Sequence, residues 1–151
     1  TYNNDPLPAA VALKQMQIII RDDVTEKSAK CGDFLEQKLF KLQNSHECIG
    51  DVRGNGLYRM LDIVVDRNSK TPNPELAERI RREAMKEGIA MIAVKNYMRI
   101  CPPLIITENE IDDVVGRLDK AITRAVNNQT QKIEYSSSSS LASIERIKNV
   151  A

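Results

Sequence analysis

The chain has 151 residues and a mass of 17.0 kDa, enough for one ordinary domain or for one domain and a tail. Apolar residues make up 42%, charged residues 28%, and the formal net charge is +1, which predicts a folded core and excludes a general attraction to nucleic acid or to an anionic membrane. No apolar run approaches the roughly 20 residues of a membrane span, and the cysteine spacing favours a reducing, cytoplasmic compartment over a disulfide scaffold.

The first part of the chain predicts two helices. Apolar residues recur through residues 9–20, around more than half of a helix that begins near Leu7, so we expect this helix to be largely buried. Asp23 followed by Glu26 predicts a capping-box start for a second helix, which ends near residues 44–45. Its apolar residues recur at spacings of three and four, as an amphipathic helix requires.

Two strands follow, joined by glycines at residues 54–56. The Gly-Asn-Gly run is followed by no helix, so we interpret it as a tight corner and not as a phosphate-binding loop. Apolar residues alternate through residues 57–65, which predicts a strand, although Arg59 falls on the apolar face and breaks the pattern.

The next part predicts a helix, two short strands and another helix. Asn73 and Pro74 form a strong helix start, and Gly88 is suited to the end of that helix. Short apolar segments at residues 89–94 and 97–100 predict strands. A capping box between Thr107 and Glu110 opens a final helix that extends to about residue 125.

The order of elements predicts an α/β fold, more narrowly an α+β domain with helices over a small, mostly antiparallel sheet. The leading helix belongs, in this interpretation, to a different unit. The composition changes after residue 126, so we assign residues 127–151 to a tail. Five serines at residues 136–140 lead us to expect that this tail is disordered or linker-like.

Few residues are candidates for chemistry. Arg99, at the end of a short apolar strand, is either a fork that grips a carboxylate or a strand-end arginine in a salt bridge or in water. Thr1 near a helix start either helps to hold a phosphate or lies in a plain turn. His46 is the only histidine, and it has no second histidine or acidic cluster nearby, so we predict no metal site and no histidine-based triad. Cys101 is interpreted as a core thiol.

Four ordered blocks resemble the C-terminal part of class-III aminotransferases that depend on pyridoxal 5'-phosphate (PLP), such as the 4-aminobutyrate, ornithine and acetylornithine enzymes. Residues 1–6 resemble the family's Thr-Tyr-x-x-Asn-Pro, with Asp5 in place of asparagine. Residues 50–57 resemble Gly-x-Val-Arg-Gly-x-Gly-Leu, residues 66–72 resemble Asp-x-x-Thr-Lys-x-Pro, and residues 99–104 resemble Arg-x-x-Pro-Pro-Leu. The resemblance covers residues 1 to about 126. It implies that residues 1–23 are the end of a large PLP domain with its connecting helix and that residues 24–126 are a small C-terminal domain.

The resemblance implies a function for two residues. Thr1 matches the threonine that binds the PLP phosphate across a homodimer interface, and Arg99 matches the arginine that binds a substrate carboxylate. The implied reaction moves an amino group between an amino acid and a 2-oxo acid, with PLP as the electron sink. The lysine that carries PLP in this family lies upstream of residue 1, so we assign no catalytic residue here and expect the isolated chain, a fragment or truncated product, to be inactive.

Two alternatives stay open at this point. Racemases, aminomutases and decarboxylases of the same fold share the small domain and the Arg-x-x-Pro-Pro pattern. A non-catalytic α/β interaction module is the other alternative, although the apolar surface of its leading helix would then need a cover.

Overall fold

The computed structural model describes the backbone of residues 5–148 and the side chains of residues 5–128. The described residues form four helices and four strands in the order α-α-β-β-α-β-β-α. Their bounds are α1 Pro6–Arg21, α2 Val24–Ser45, β1 Ile49–Asn55, β2 Tyr58–Ile63, α3 Pro74–Lys86, β3 Ile92–Val94, β4 Tyr97–Ile100 and α4 Glu108–Lys148.

The strands form one antiparallel sheet in the order β1-β2-β4-β3. Side chains alternate between its two faces: Leu61, Ile63 and Met98 are fully buried on one face, with residues of α2, α3 and α4 packed against them. The other face carries no helix among the described residues, and we call it the open face. The predicted α/β fold with a small antiparallel sheet is therefore confirmed.

Helix α1 forms as predicted, but the expectation that it is largely buried is wrong within the described residues. None of its residues is buried, and its large apolar side chains are exposed, Ile20 by 73% and Leu7 by 72%. The apolar pattern correctly indicates a helix that needs a cover. The residues described here do not supply that cover.

Local capping signals give mixed results. The Asn73 side chain accepts a hydrogen bond from the Leu76 amide at 3.0 Å, and Thr107 and Glu110 cap each other reciprocally, as predicted. The Glu110 carboxylate accepts the Thr107 amide hydrogen, which lowers the pKa of that carboxyl. Asp23 makes no side-chain cap bond, because the short connection from α1 to α2 holds it in a left-handed conformation with φ 48°.

Two element ends differ from the sequence prediction. Strand β3 begins at Ile92 and not at residue 89. Helix α4 continues through the serine run to Lys148, whereas residues 127–151 were expected to be disordered or linker-like. Serine costs less than about 0.7 kcal/mol per residue in a helix relative to alanine, so an established helix can continue through it without burial. Among the described residues, no helix is both long and apolar enough to cross a membrane.

Candidate functional site

Strand β4 places Arg99 on the open face. Its neighbour Met98 is fully buried on the core face, and because side chains alternate along a strand, Arg99 is exposed on the opposite side. Arg99 pairs with Met60 of β2 and with Ile92 of β3, so it lies in the middle of the sheet and not at an edge. Two neighbouring strands therefore fix its backbone.

Arg99 differs from the other arginines of residues 5–128 in having no partner. Each of the others has a hydrogen bond, an ion pair or another electrostatic contact. Arg99 forms no hydrogen bond or ion pair with any residue that the structure describes. Of the interpretations left open by the sequence, the salt bridge finds no partner among the described residues, whereas an arginine that binds a carboxylate and an arginine that lies in water both fit this position.

The neighbours of Arg99 on the open face include a second arginine, Arg53, that pairs with two carboxylates. The Arg53 guanidinium lies 3.1 Å from Asp62 Oδ2 and 3.4 Å from Asp51 Oδ2. It also stacks over the ring of Tyr97, with its Cζ 5.4 Å from the ring centroid. Because Tyr97 precedes Arg99 by two residues on the same face of β4, the two guanidinium groups have access to the same region of the sheet.

A cavity of about 290 Å³ lies next to the end of β4. Arg99 and residues 100–103 line it on one side, residues 88–91 line it on another, and α2 and α4 contribute apolar side chains. None of its lining residues is a lysine. Cys101, interpreted from the sequence as a core thiol, is exposed and lines this cavity, because the chain leaves the sheet there and Pro102 and Pro103 cannot continue the ladder.

Arg59 has a structural role that the sequence pattern did not reveal. It points into the core face, is 3% exposed, and donates to the carbonyl oxygens of Gly56 at 2.8 Å and Gly54 at 3.0 Å. It also donates to the Gly32 carbonyl of α2 and forms an ion pair with Glu36. The available signal was the break in the alternation of β2, which indicates a charged side chain that needs buried partners.

The glycine corner is confirmed as a hairpin turn. Gly54 and Gly56 have φ of 129° and 52°, conformations that favour glycine. A Cβ on Gly54 would lie 2.1 Å from the Tyr58 carbonyl oxygen, so the strands approach too closely there for any side chain. The carbonyl oxygens of this turn face Arg59.

Of the remaining sequence candidates, His46 lies among the described residues. His46 Nε2 is 2.5 Å from Asp119 Oδ1 and links the end of α2 to α4. Cys48 is largely buried, and burial raises the pKa of its thiol. Thr1, the predicted contact of the PLP phosphate, lies outside the described residues.

Within the part of the chain that the structure describes, the arrangement is a small α/β domain whose open face presents the unpaired guanidinium of Arg99. The chain belongs to the class-III aminotransferase family, whose model matches residues 1–122. The family assigned from the four sequence blocks is thereby confirmed.

Curated relatives agree with this assignment. The chain is 37% identical over 127 residues to ethanolamine-phosphate phospho-lyase homolog 1 of Caenorhabditis elegans. The matched region covers 82% of the chain and 27% of the relative. It is 38% identical over 122 residues to taurine–pyruvate aminotransferase of Bilophila wadsworthia, covering 76% of the chain and 27% of the relative. The chain thus spans about a quarter of the length of the curated relatives it matches.

Solved transaminases share the fold. The omega transaminase of Pseudomonas jessenii, solved in complex with PMP, superposes with a TM-score of 0.76 at 30% identity, covering 81% of this chain and 27% of that one. A transaminase solved with L-alanine gives a TM-score of 0.78 at 28% identity, covering 82% of this chain and 30% of that one. The small sheet with its covering helices is therefore a part of the transaminase fold.

Proposed function

We propose that this chain is the C-terminal, carboxylate-binding part of a PLP-dependent aminotransferase, and that Arg99 binds the carboxylate of the amino acid or 2-oxo acid substrate. In this proposal residues 1–23 end the large domain, residues 24–126 form the small domain, and residues 127–151 form a tail beyond it. The intact enzyme is a cytoplasmic homodimer, in which Thr1 contacts the PLP phosphate of the neighbouring subunit.

The observation that carries the proposal is the lack of any described partner for Arg99. Its planar guanidinium can donate two parallel hydrogen bonds to a carboxylate, an arrangement that lysine cannot reproduce. The position is held by β2 and β3, the cavity adjoins it, and the side chain is exposed. Ordered backbone and an unsatisfied charged fork are what a substrate-binding residue needs.

PLP, when bound, would supply the electron sink for the amino transfer. The described residues offer no built site for it: no lysine lines the cavity, and the one predicted phosphate contact, Thr1, lies outside them. We therefore assign to this chain the orientation and charge compensation of the substrate carboxylate and no step of cofactor chemistry. The lysine that would carry PLP is expected on a longer polypeptide, upstream of residue 1.

A second reaction type within the family stays a candidate, because the relatives do not share one reaction. Isoleucine 2-epimerase of Lentilactobacillus buchneri is 31% identical over 130 residues, and two relatives are named as lyases. A racemase, an aminomutase or a decarboxylase would use the same carboxylate contact. A non-catalytic α/β interaction module would use Arg99 only if its partner carried an anion.

Carboxylate binding tests the role of Arg99. Titration of the chain with butyrate at neutral pH should shift the side-chain Nε–Hε NMR signal of Arg99. Arg99→Leu should weaken butyrate binding about tenfold or more, because hydrogen bonds to charged groups contribute about 1.5–3 kcal/mol. Arg99→Lys should retain part of the affinity. Arg82→Leu, which removes an exposed arginine that already pairs with Glu78, is the matched control and should bind as the wild type does. Equal binding by Arg99→Leu and wild type would disprove the role.

Turnover tests the absence of the reactive centre. The purified chain with added PLP is assayed for transfer of the amino group of alanine or 4-aminobutyrate to a 2-oxo acid, with formation of the product amino acid as the readout. We expect none. Sustained transfer would contradict the proposal that the catalytic lysine lies outside this chain.

A further inference from the structure

We propose that Asp62 determines how many carboxylates the open face accepts: it keeps Arg53 engaged, so that Arg99 alone receives the substrate and a second carboxylate is disfavoured. This inference rests on the proposed function of Arg99. It adds a substrate class, monocarboxylic amino and oxo acids, and a specificity-determining residue that does not itself touch the substrate.

The first step is the position of the second cation. Arg53, Met60 and Arg99 lie in one row across β1, β2 and β4 on the open face. The Arg53 side chain does not stay above its own strand, because its guanidinium reaches across β2 to the ring of Tyr97 on β4. Tyr97 and Arg99 are separated by roughly 7 Å along the strand. A substrate bound to Arg99 therefore has a second guanidinium within reach of its far end.

The second step is the compensation of that cation. Asp62 Oδ2 accepts from Arg53 at 3.1 Å, and Asp51 adds a longer contact at 3.4 Å. With both carboxylates ionised, the group of Arg53, Asp51 and Asp62 carries one net negative charge. A second carboxylate on the substrate meets this group instead of a free cation, and the interaction is repulsive.

The third step explains why Asp62 and not Asp51 holds the arrangement. The Asp62 side chain is 14% exposed, against 40% for Asp51. Its other oxygen accepts a hydrogen bond from the side chain of the buried Asn96, whose backbone carbonyl accepts the Ile63 amide at 2.8 Å. Asp62 is therefore fixed from two sides and cannot rotate away from Arg53 without losing the bond to Asn96.

Butyrate and glutarate form a matched pair of probes, because they differ by one terminal carboxylate. In the wild-type chain, we expect glutarate to bind no more than about twofold tighter than butyrate, the statistical advantage of two equivalent carboxylates. Asp62→Asn keeps the size of the side chain and removes one charge. The ratio of the two dissociation constants should then shift about fivefold towards glutarate, and glutarate should also shift the Nε–Hε NMR signal of Arg53.

Two further variants separate this effect from damage to the fold. Asp62→Glu, which restores the charge, should return the ratio towards the wild-type value. Adding Arg53→Leu to Asp62→Asn should abolish the gain for glutarate, because the released cation is then missing. Glu78→Gln, which removes an exposed carboxylate on α3, should leave the ratio unchanged.

The outcomes distinguish the two proposals. If Arg99→Leu loses butyrate binding but Asp62→Asn leaves the ratio unchanged, the role of Asp62 is disproved and the function of Arg99 stands. A glutarate gain that persists in the double variant also disproves it, since the gain does not then come from Arg53. If Arg99→Leu binds both acids as well as the wild type does, the proposed function itself fails.

Discussion

Arg59 and Arg99 lie on neighbouring strands, one residue apart in the ladder between β2 and β4, yet their surroundings are opposite. Arg59 pairs with Ile100 and points into the core, where three carbonyl oxygens and the Glu36 carboxylate surround it. Arg99 points to the open face and has no partner among the described residues. An arginine side chain is thus fully hydrogen-bonded within the fold at residue 59 and accessible to solvent at residue 99.

The comparison teaches that the partners of a charge, and not its type, indicate its role. A buried guanidinium persists only when its donors are satisfied, so Arg59 is bound to the hairpin turn and to α2 and can bind nothing else. An exposed guanidinium needs no partner for the fold to be stable. The unpaired guanidinium of Arg99 therefore costs the fold little free energy, and it stays accessible to a ligand.

The largest expected effect in the folded chain comes from removing the buried guanidinium. Arg59→Met should lower the free energy of unfolding by about 2–4 kcal/mol, because the carbonyls of the turn and the Glu36 carboxylate lose their donor. Urea unfolding, monitored by circular dichroism, measures this change in the free energy of unfolding.

The paired control for that change is Arg99→Leu. It should alter the free energy of unfolding by no more than about 0.5 kcal/mol, as is usual for exposed positions. The contrast between the two arginines is lost if both variants unfold at the same urea concentration. Glu36→Gln, which keeps an acceptor, should cost less than Arg59→Met.

A smaller effect tests why the turn lies where Arg59 can reach it. A Cβ on Gly32 of α2 would lie 2.5 Å from backbone atoms of Gly56, so Gly32→Ala should force α2 away from the hairpin and cost about 1–3 kcal/mol. Gly116→Ala in α4 meets no atom within 4 Å and should instead stabilise the chain by about 0.5–1 kcal/mol through helix propensity. Thermal unfolding of both variants measures the two effects. Melting temperatures that shift in the same direction would contradict this explanation.

The parts of the structure that the sequence predicts well depend on local contacts. Asn73 and the Thr107–Glu110 box cap helices through residues three positions away. The glycines of the hairpin adopt the positive φ that the turn needs. Asp23 fails as a cap because the short connection between α1 and α2 holds it in a left-handed conformation, which overrides the local motif. The composition of the serine run predicts no helix, whereas α4 continues through it, because helix hydrogen bonds form within the segment itself.

The candidate site is less predictable, because its properties depend on residues distant in sequence. Alternation places Arg99 and Tyr97 on one face, but the pairing of β4 with β2, which brings Arg53 and Asp62 beside them, is not visible in the local pattern. The partners of Arg59 on α2 are 23 and 27 residues away. That no described carboxylate pairs with Arg99 depends on the placement of all these residues.

The smallest expected effect concerns arginines that are neither buried nor free. The exposed Glu78 carboxylate accepts from Arg81 at 2.7 Å and from Arg82 at 3.0 Å, and these hydrogen bonds lower the pKa of Glu78 from 4.5 to about 2. A lowered pKa stabilises the folded chain above pH 4.5, and this contribution is lost as the pH falls from 4.5 towards 2. Solvent screening keeps it small.

Glu78→Gln should therefore lower the melting temperature slightly at neutral pH, and the difference from the wild type should vanish near pH 2, where the wild-type carboxyl becomes protonated. A Glu78→Gln curve that runs parallel to the wild type across this range would mean that the carboxylate gains nothing from its two arginines. The exposed pairs of Arg81 and Arg82 would then contribute as little to the free energy of unfolding as the unpaired Arg99 does. Burial alone would then distinguish Arg59 from the other arginines.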